Sequence, residues 1–282
     1  MNPINPQEAQ ALNLANAIKA ATTAAANQAL DVVFATPTYD HRYSQRTYGS
    51  MIETESLLSS HGIKAWFVCR EGDPFVAKVR NKLVTDFLRD YPNVQNFFFI
   101  DDDVGWTGQA NKVLEFLKRP EDVVVGIYPK KSKEIDFPLT LLLDLDTGEL
   151  VQNNGLYGAL MVPTGFMRIK RHVLEKLAAN SRMFTDAEVA DKIGEYYYIF
   201  ETGPAATGEW WGEDYVFCRK WIDMGGSIWV DPEITFSHQG HYTWHGRLSE
   251  HLDIYREKAV KLVKVRKEEA EQSELSQQEA AE

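Results

Sequence analysis

The run Asn96-Phe97-Phe98-Phe99-Ile100-Asp101-Asp102-Asp103 places three carboxylates directly after an almost wholly apolar segment. Such a segment reads as a strand buried on both faces, so the acids fall at the carboxyl edge of a sheet, where open α/β folds bind their ligands. Side chains alternate along an extended strand, and Asp101 and Asp103 are therefore expected to point the same way. Two hard oxygen donors on one side suit Mg²⁺ or Mn²⁺. The plainer alternative is a polar turn whose acids cap the next helix. Three uncompensated carboxylates repel one another, however, and that crowding calls for a counter-ion, which favours the metal.

Two later segments add candidates. In Trp229-Val230-Asp231-Pro232-Glu233-Ile234-Thr235-Phe236-Ser237-His238, the histidine follows a short apolar strand and is placed to offer a ring nitrogen to the same metal. The alternative is a half-buried imidazole bonded to backbone. A zinc site from His238, His241 and His245 is disfavoured, because Gly240 and Gly246 argue against the regular helix that would align them. In Trp210-Trp211-Gly212-Glu213-Asp214-Tyr215 the acids open a helix, where its dipole favours them without any catalysis. The functional alternative makes Asp214, with Glu213 beside it, a general base next to Trp faces on which a sugar or nucleobase can stack.

These residues need elements to carry them. From Asp31 the chain alternates short apolar runs with amphipathic segments, the pattern of strands joined by helices. Strands are expected over 32–35, 65–69, 96–100, 123–127, 139–143, 156–162, 166–169 and 227–230. Helices are expected over 44–60, 109–117, 171–178 and 215–224. A further helix should start with Asp73 as N-cap and Pro74 at its first position, and carry Val76, Val79, Leu83 and Phe87 on one face. Residues 181–212 read as a long irregular stretch. A helix over 7–29 precedes this body, and one beginning at Leu248 follows it, so the expected divisions are 1–30, 31–246 and 247–282.

The chain has 282 residues, with 44% hydrophobic and 25% charged, an ordinary globular composition that excludes wholesale disorder and fibrous classes. No run approaches the roughly 18–20 apolar residues of a membrane span, and the N-terminus lacks an apolar targeting core. With Cys69 and Cys218 both inside apolar runs and expected to be buried thiols, a cytoplasmic location is the expectation. The net charge of -11 argues against a general nucleic-acid binder. Six Glu from Glu268 onward, unaccompanied by any base, carry more than half of it, while residues 247–267 hold seven bases against three acids. Lys130, Lys131, Lys133, Arg168, Lys170 and Arg171 are the bases nearest the expected cleft, each with solvated surface as its alternative.

Taken in order, these segments resemble the metal-dependent GT-A glycosyltransferases. The resemblance runs from about Asp31 to His245. It is carried by Phe34-Ala35-Thr36-Pro37-Thr38-Tyr39, Ala77-Lys78-Val79-Arg80-Asn81, the Asp triplet, Val162-Pro163-Thr164-Gly165-Phe166-Met167, Gly212-Glu213-Asp214 and His238. It implies a Rossmann-type open mixed sheet flanked by helices, with helical extensions at both ends. It further implies that Thr36, Pro37, Tyr39 and Asp73 bracket the nucleoside of a sugar nucleotide, a UDP-sugar by preference, with Arg80 near its ribose or phosphates. Asn81, Asp102 and Gly165 lie in the same matching segments. Asp101 and Asp103 look like the family's D-x-D, His238 like its late metal-binding histidine, and Asp214 like the base of inverting members. The implied acceptor is a glycan, a protein side chain or a hydroxymethylated pyrimidine in DNA. Two other readings of the same residues are a divalent-metal phosphohydrolase and a non-catalytic sugar-nucleotide sensor.

Overall fold

The computed structural model of the protein describes residues 30–187, 193–205 and 208–264. The expected N-terminal helix over 7–29 and the acidic tail lie outside the described residues. The strands are β1 (Val32–Pro37), β2 (Ala65–Arg70), β3 (Asn96–Ile100), β4 (Val104–Gly105), β5 (Val123–Gly126), β6 (Thr140–Leu141), β7 (Gln152–Asn153) and β8 (Leu156–Met161). They continue with β9 (Phe166–Lys170), β10 (Met183–Ala187), β11 (Ile193–Tyr197), β12 (Gly203–Pro204), β13 (Trp210–Trp211), β14 (Ile228–Asp231), β15 (Thr235–Gln239) and β16 (Thr243–Arg247). One large mixed sheet runs β2-β1-β3-β9-β5-β14-β8-β6, with β7 paired to β8. Within it β1 is parallel to β2 and β3, whereas β9 enters antiparallel between β3 and β5.

Helices cover both faces, which makes the molecule a mixed α/β fold. Phe97 and Phe99 of β3 pack on one side, with Val79, Leu83 and Phe87 of the helix Val76–Asp90 and Phe217 and Trp221 of the helix Glu213–Asp223. Phe98 and Ile100 pack on the other, with Leu58 of the helix Gln45–Ser60 and Val113 and Phe116 of the helix Ala110–Lys118. The three phenylalanines are fully buried, each contributing roughly 1.5–3 kcal/mol relative to exposure. The strand that delivers the acids is thus packed in core on both faces. A last helix over 252–264 returns Tyr255 and Ala259 to the first of these faces.

Several expectations are corrected. The helix expected at Pro74 begins at Val76, with Phe75 as its N-cap residue, because Asp73 Oδ1 accepts from the Phe75 N-H in a tight turn (3.1 Å) before the helix starts. Residues 181–212 hold two antiparallel hairpins, β10/β11 and β12/β13, whose ladders satisfy backbone groups that an irregular loop would leave to water. The expected strand over 139–143 shrinks to Thr140–Leu141, where its register with β8 shifts. Cys69 is exposed, because β2 is the edge strand, while Cys218 is buried and burial pushes its thiol up to about 12. Among the described residues no helix is long and apolar enough to cross a membrane.

Candidate active site

The acidic triplet is not a continuation of the strand. β3 ends at Ile100, and the chain turns at once, with the Val104 N-H donating to the Asp101 carbonyl (3.3 Å). Side-chain alternation therefore stops at the strand end, and the three acids fan out. Asp101 turns to Arg80, whose Nη2 donates to its Oδ1 (2.8 Å), and to Tyr128, whose hydroxyl donates to its Oδ2 (3.2 Å). Asp102 faces Thr38 and is lifted to about 6 by burial, against the hydrogen bond from Thr38 and with Asp103, Asp101 and Asp40 adding to the rise. Asp103 meets His238 and Lys131. The expectation that Asp101 and Asp103 share one side is corrected by this turn. Among the described residues no three His, Cys, Asp or Glu side chains converge on one point.

Tertiary pairing brings His238 to Asp103. β4 pairs with β15 so that His238 lies opposite Val104, and the Gln239 N-H donates to the Asp103 carbonyl (2.8 Å). The imidazole is 14% exposed; its Nδ1 lies 2.7 Å from the Pro129 carbonyl and its Nε2 lies 3.4 Å from Asp103 Oδ1. A carbonyl can only accept, so Nδ1 carries the proton, and in a neutral ring Nε2 turns a lone pair towards a carboxylate. That contact needs a proton or a cation between the two groups. A histidine whose second nitrogen is tied to a backbone carbonyl is also the usual support of a metal ligand. One carboxylate and one imidazole are a donor set compatible with Mn²⁺ or Mg²⁺, which are commonly held by one or two carboxylates plus substrate phosphates. Burial works upward on Asp103, but with a proton on Nε2 as the bridge the hydrogen bonds from His238 and Lys131 outweigh it and hold the carboxyl below its ordinary value.

Beneath the turn lies Arg80, 4% exposed, joining Asp101 to Glu213 (Nε to Oε1, 3.4 Å) and lying over the Phe99 ring at 5.1 Å. Its Nη1 has no hydrogen-bond partner. Burial opposes the charge, yet Asp101 and Glu213 more than compensate, so the guanidinium remains cationic. Glu213 is thus the counter-ion of Arg80. Asp214, next along the helix start, accepts from the Tyr215 N-H (2.9 Å) and is raised to about 6, mainly by burial and then by the Glu213 charge. A carboxyl with that value is suited to proton transfer near neutral pH. Gly165 is fixed by packing: a Cβ there would lie 2.2 Å from Asp101 Oδ2 and 2.4 Å from the Tyr128 hydroxyl.

An open cleft of about 230 Å³ runs beside these groups, lined by Pro37, Thr38, Tyr39, Asp73, Arg80 and the three acids, among others. Tyr39 stands at its rim, 63% exposed, and Asp73 is tied to Lys78 (2.9 Å). Thr36, Asn81 and Gly165 do not line it. Thr36 is buried and bonded to Tyr43, while Asn81 clamps residues 199–200 by accepting from both N-H groups and donating to the Phe200 carbonyl. Three bases expected near the cleft are elsewhere. Arg168, fully buried, donates to carbonyls of Phe116, Arg119, Glu121 and Asp122, Arg171 to those of Leu88, Tyr91 and Val94, and Lys170 reaches Pro120 and Asp122. Sequence reasoning missed Tyr128, whose ring also meets His238 edge-on at 4.9 Å. Its only sequence signal is its position just past the apolar run 123–127.

Fold and site together define an open mixed α/β sheet with an acidic cleft at a strand's carboxyl edge. No protein-family model matches the chain, and no curated protein matches it. Among solved structures it is similar to A197 from STIV, with a TM-score of 0.44 and 19% identity over 75% of this chain and 86% of that one. It is also similar to a glycosyltransferase involved in the glycosylation of the major capsid of PBCV-1, with a TM-score of 0.30 and 15% identity over 51% of this chain and 63% of that one. Likenesses this low transfer no residue roles.

Proposed function

We propose that this chain is a divalent-metal glycosyltransferase of GT-A type, moving a sugar from a nucleotide-sugar donor, a UDP-sugar by preference, to an acceptor hydroxyl. The observation that carries the reading is the pairing of the cleft-lining Asp103 with an Nδ1-anchored His238. These two residues would hold Mn²⁺ or Mg²⁺, and such an ion supplies Lewis-acid stabilisation of the charge that builds on a departing diphosphate. Asp101, which lines the same cleft, stays with Arg80 and Tyr128. Pro37 and Tyr39 would flank the nucleoside, with Asp73 and Asp102 lining the same cleft. Asp214 takes the proton of the attacking hydroxyl if the reaction inverts configuration. Trp210, 72% exposed at the hairpin that leads into the Glu213–Asp223 helix, offers a face for the acceptor, a glycan, a protein or a hydroxymethylated DNA pyrimidine.

The test is incubation with a panel of UDP-sugars and Mn²⁺, reading UDP release and the mass of each acceptor class. UDP release with a sugar-sized gain on one acceptor is expected, and Asp103→Ala should abolish metal-dependent donor binding. Inorganic phosphate as product would support a phosphohydrolase instead, and unchanged donor affinity in the Ala variant would sink the assignment of Asp103.

A further inference from the structure

Lys131, a partner of the cleft-lining Asp103, is a group the proposed reaction does not use. Its ammonium bonds to Asp103 Oδ2 while His238 faces Oδ1 of the same carboxylate, so one negative charge already serves two partners. The lysine extends from a segment whose backbone is firmly anchored. The Lys130 N-H donates to the Asp136 carbonyl (2.7 Å), Lys130 Nζ and the Tyr255 hydroxyl both reach the Asp136 carboxylate (2.6 Å each), and the Pro129 carbonyl receives His238. Its side chain is freer, at 36% exposed, and its stem passes the bare backbone of Gly240, where a Cβ would lie 3.2 Å from Lys131 Cδ. The segment is fixed, and the ammonium at its end can change partner.

A divalent ion arriving between Asp103 and His238 would meet that ammonium as a like charge on a shared carboxylate. In a half-exposed setting the repulsion is screened but not lost. An incoming diphosphate removes it, because its oxygens supply negative charge for the ion and the lysine together. We propose that Lys131 is a built-in counter-cation of Asp103 that weakens divalent-ion binding until a diphosphate-bearing ligand draws the ammonium away, so that ion and diphosphate bind with positive coupling. This rests on the reading of Asp103 and His238 as the cation-holding pair. Linkage requires the coupling to be reciprocal: whatever factor the diphosphate adds to ion affinity, the ion adds to diphosphate affinity.

The experiment is Mn²⁺ titration of the full chain, reading free Mn²⁺ by electron paramagnetic resonance, with and without UDP and with the Mn²⁺–UDP equilibrium in buffer subtracted. Wild type should bind Mn²⁺ weakly alone and more tightly with UDP. Lys131→Met should bind Mn²⁺ alone more tightly, by roughly twofold to fivefold, the scale of a partly exposed charge pair. The gain that UDP adds should shrink by a similar factor. Lys133→Met, which changes an exposed lysine two residues away, should behave as wild type, and Lys131→Ala guards against a packing effect of Met. Equal or weaker Mn²⁺ affinity in both Lys131 variants, with wild type still binding, would overturn the role of the lysine alone. Absence of Mn²⁺ binding in every variant, with or without UDP, would overturn the cation site itself and the lysine's role with it.

Discussion

Replacing Asp214 by Asn should make the protein more stable at neutral pH while removing the proposed transferase activity. Burial and the neighbouring Glu213 raise this carboxyl from 3.8 to about 6. At 1.36 kcal/mol per tenfold change in proton affinity, ionising it in the folded state costs about 3 kcal/mol relative to the unfolded chain. The sign follows from which form the fold prefers. The protonated acid is favoured, so its stabilising contribution is complete below the unfolded value and is lost as pH rises through about 6. Asn does not titrate, and its side-chain oxygen can still accept from the Tyr215 N-H. Urea unfolding at about pH 7.5 should therefore find the Asn variant more stable by up to about 3 kcal/mol, narrowing to under about 1 kcal/mol near pH 4. Asp102, also raised to about 6, titrates in both proteins and cancels from the difference. A stability difference that stays constant across this range, or a variant less stable at neutral pH, would refute the reasoning.

The same displaced value predicts that the proposed transfer activity rises with pH along a limb centred near 6, and Glu213→Gln, by removing the adjacent charge, should move that limb to lower pH in a profile of kcat/KM. Tyr255→Phe removes the acceptor for the buried Phe137 N-H and the donor to Asp136, both at 2.6 Å; about 2–3 kcal/mol should be lost in denaturant unfolding, and Mn²⁺ affinity should fall because the Lys130–Asp136 segment loosens. Gly165→Ala drives a methyl into Asp101 and Tyr128, so UDP affinity and melting temperature should both drop, and an unchanged UDP affinity would contradict the packing argument. In the native protein a thiol reagent should label Cys69 and spare Cys218 until unfolding, as mass mapping of the labelled peptides would show.

The parts that were legible in sequence are those with local causes. The apolar run before Asp101, the helix entered after Ser44, whose side chain accepts from the Thr47 N-H (3.1 Å), and the acids opening the Glu213 helix all announce themselves within a few residues. Partners were not legible. Arg168 looked like a cleft base, yet β9 threads between β3 and β5 and carries it under four backbone carbonyls, a fact of strand order rather than of neighbouring residues. Asn81 looked like a ligand contact in its helix motif, and became a clamp only because residues 199–200 return to it.

By itself, then, the sequence determined that an apolar strand ends in three carboxylates at a sheet edge, because burial and chain direction are encoded in residue type and order. Which of those acids meets His238 was decided by tertiary structure alone. The turn after Ile100 separates Asp101 from Asp103, and the β4–β15 pairing brings His238 to Asp103 from more than a hundred residues away. Alternation along a strand predicts side-chain direction only while the strand lasts, and the pairing of distant backbones leaves no periodic trace in either segment.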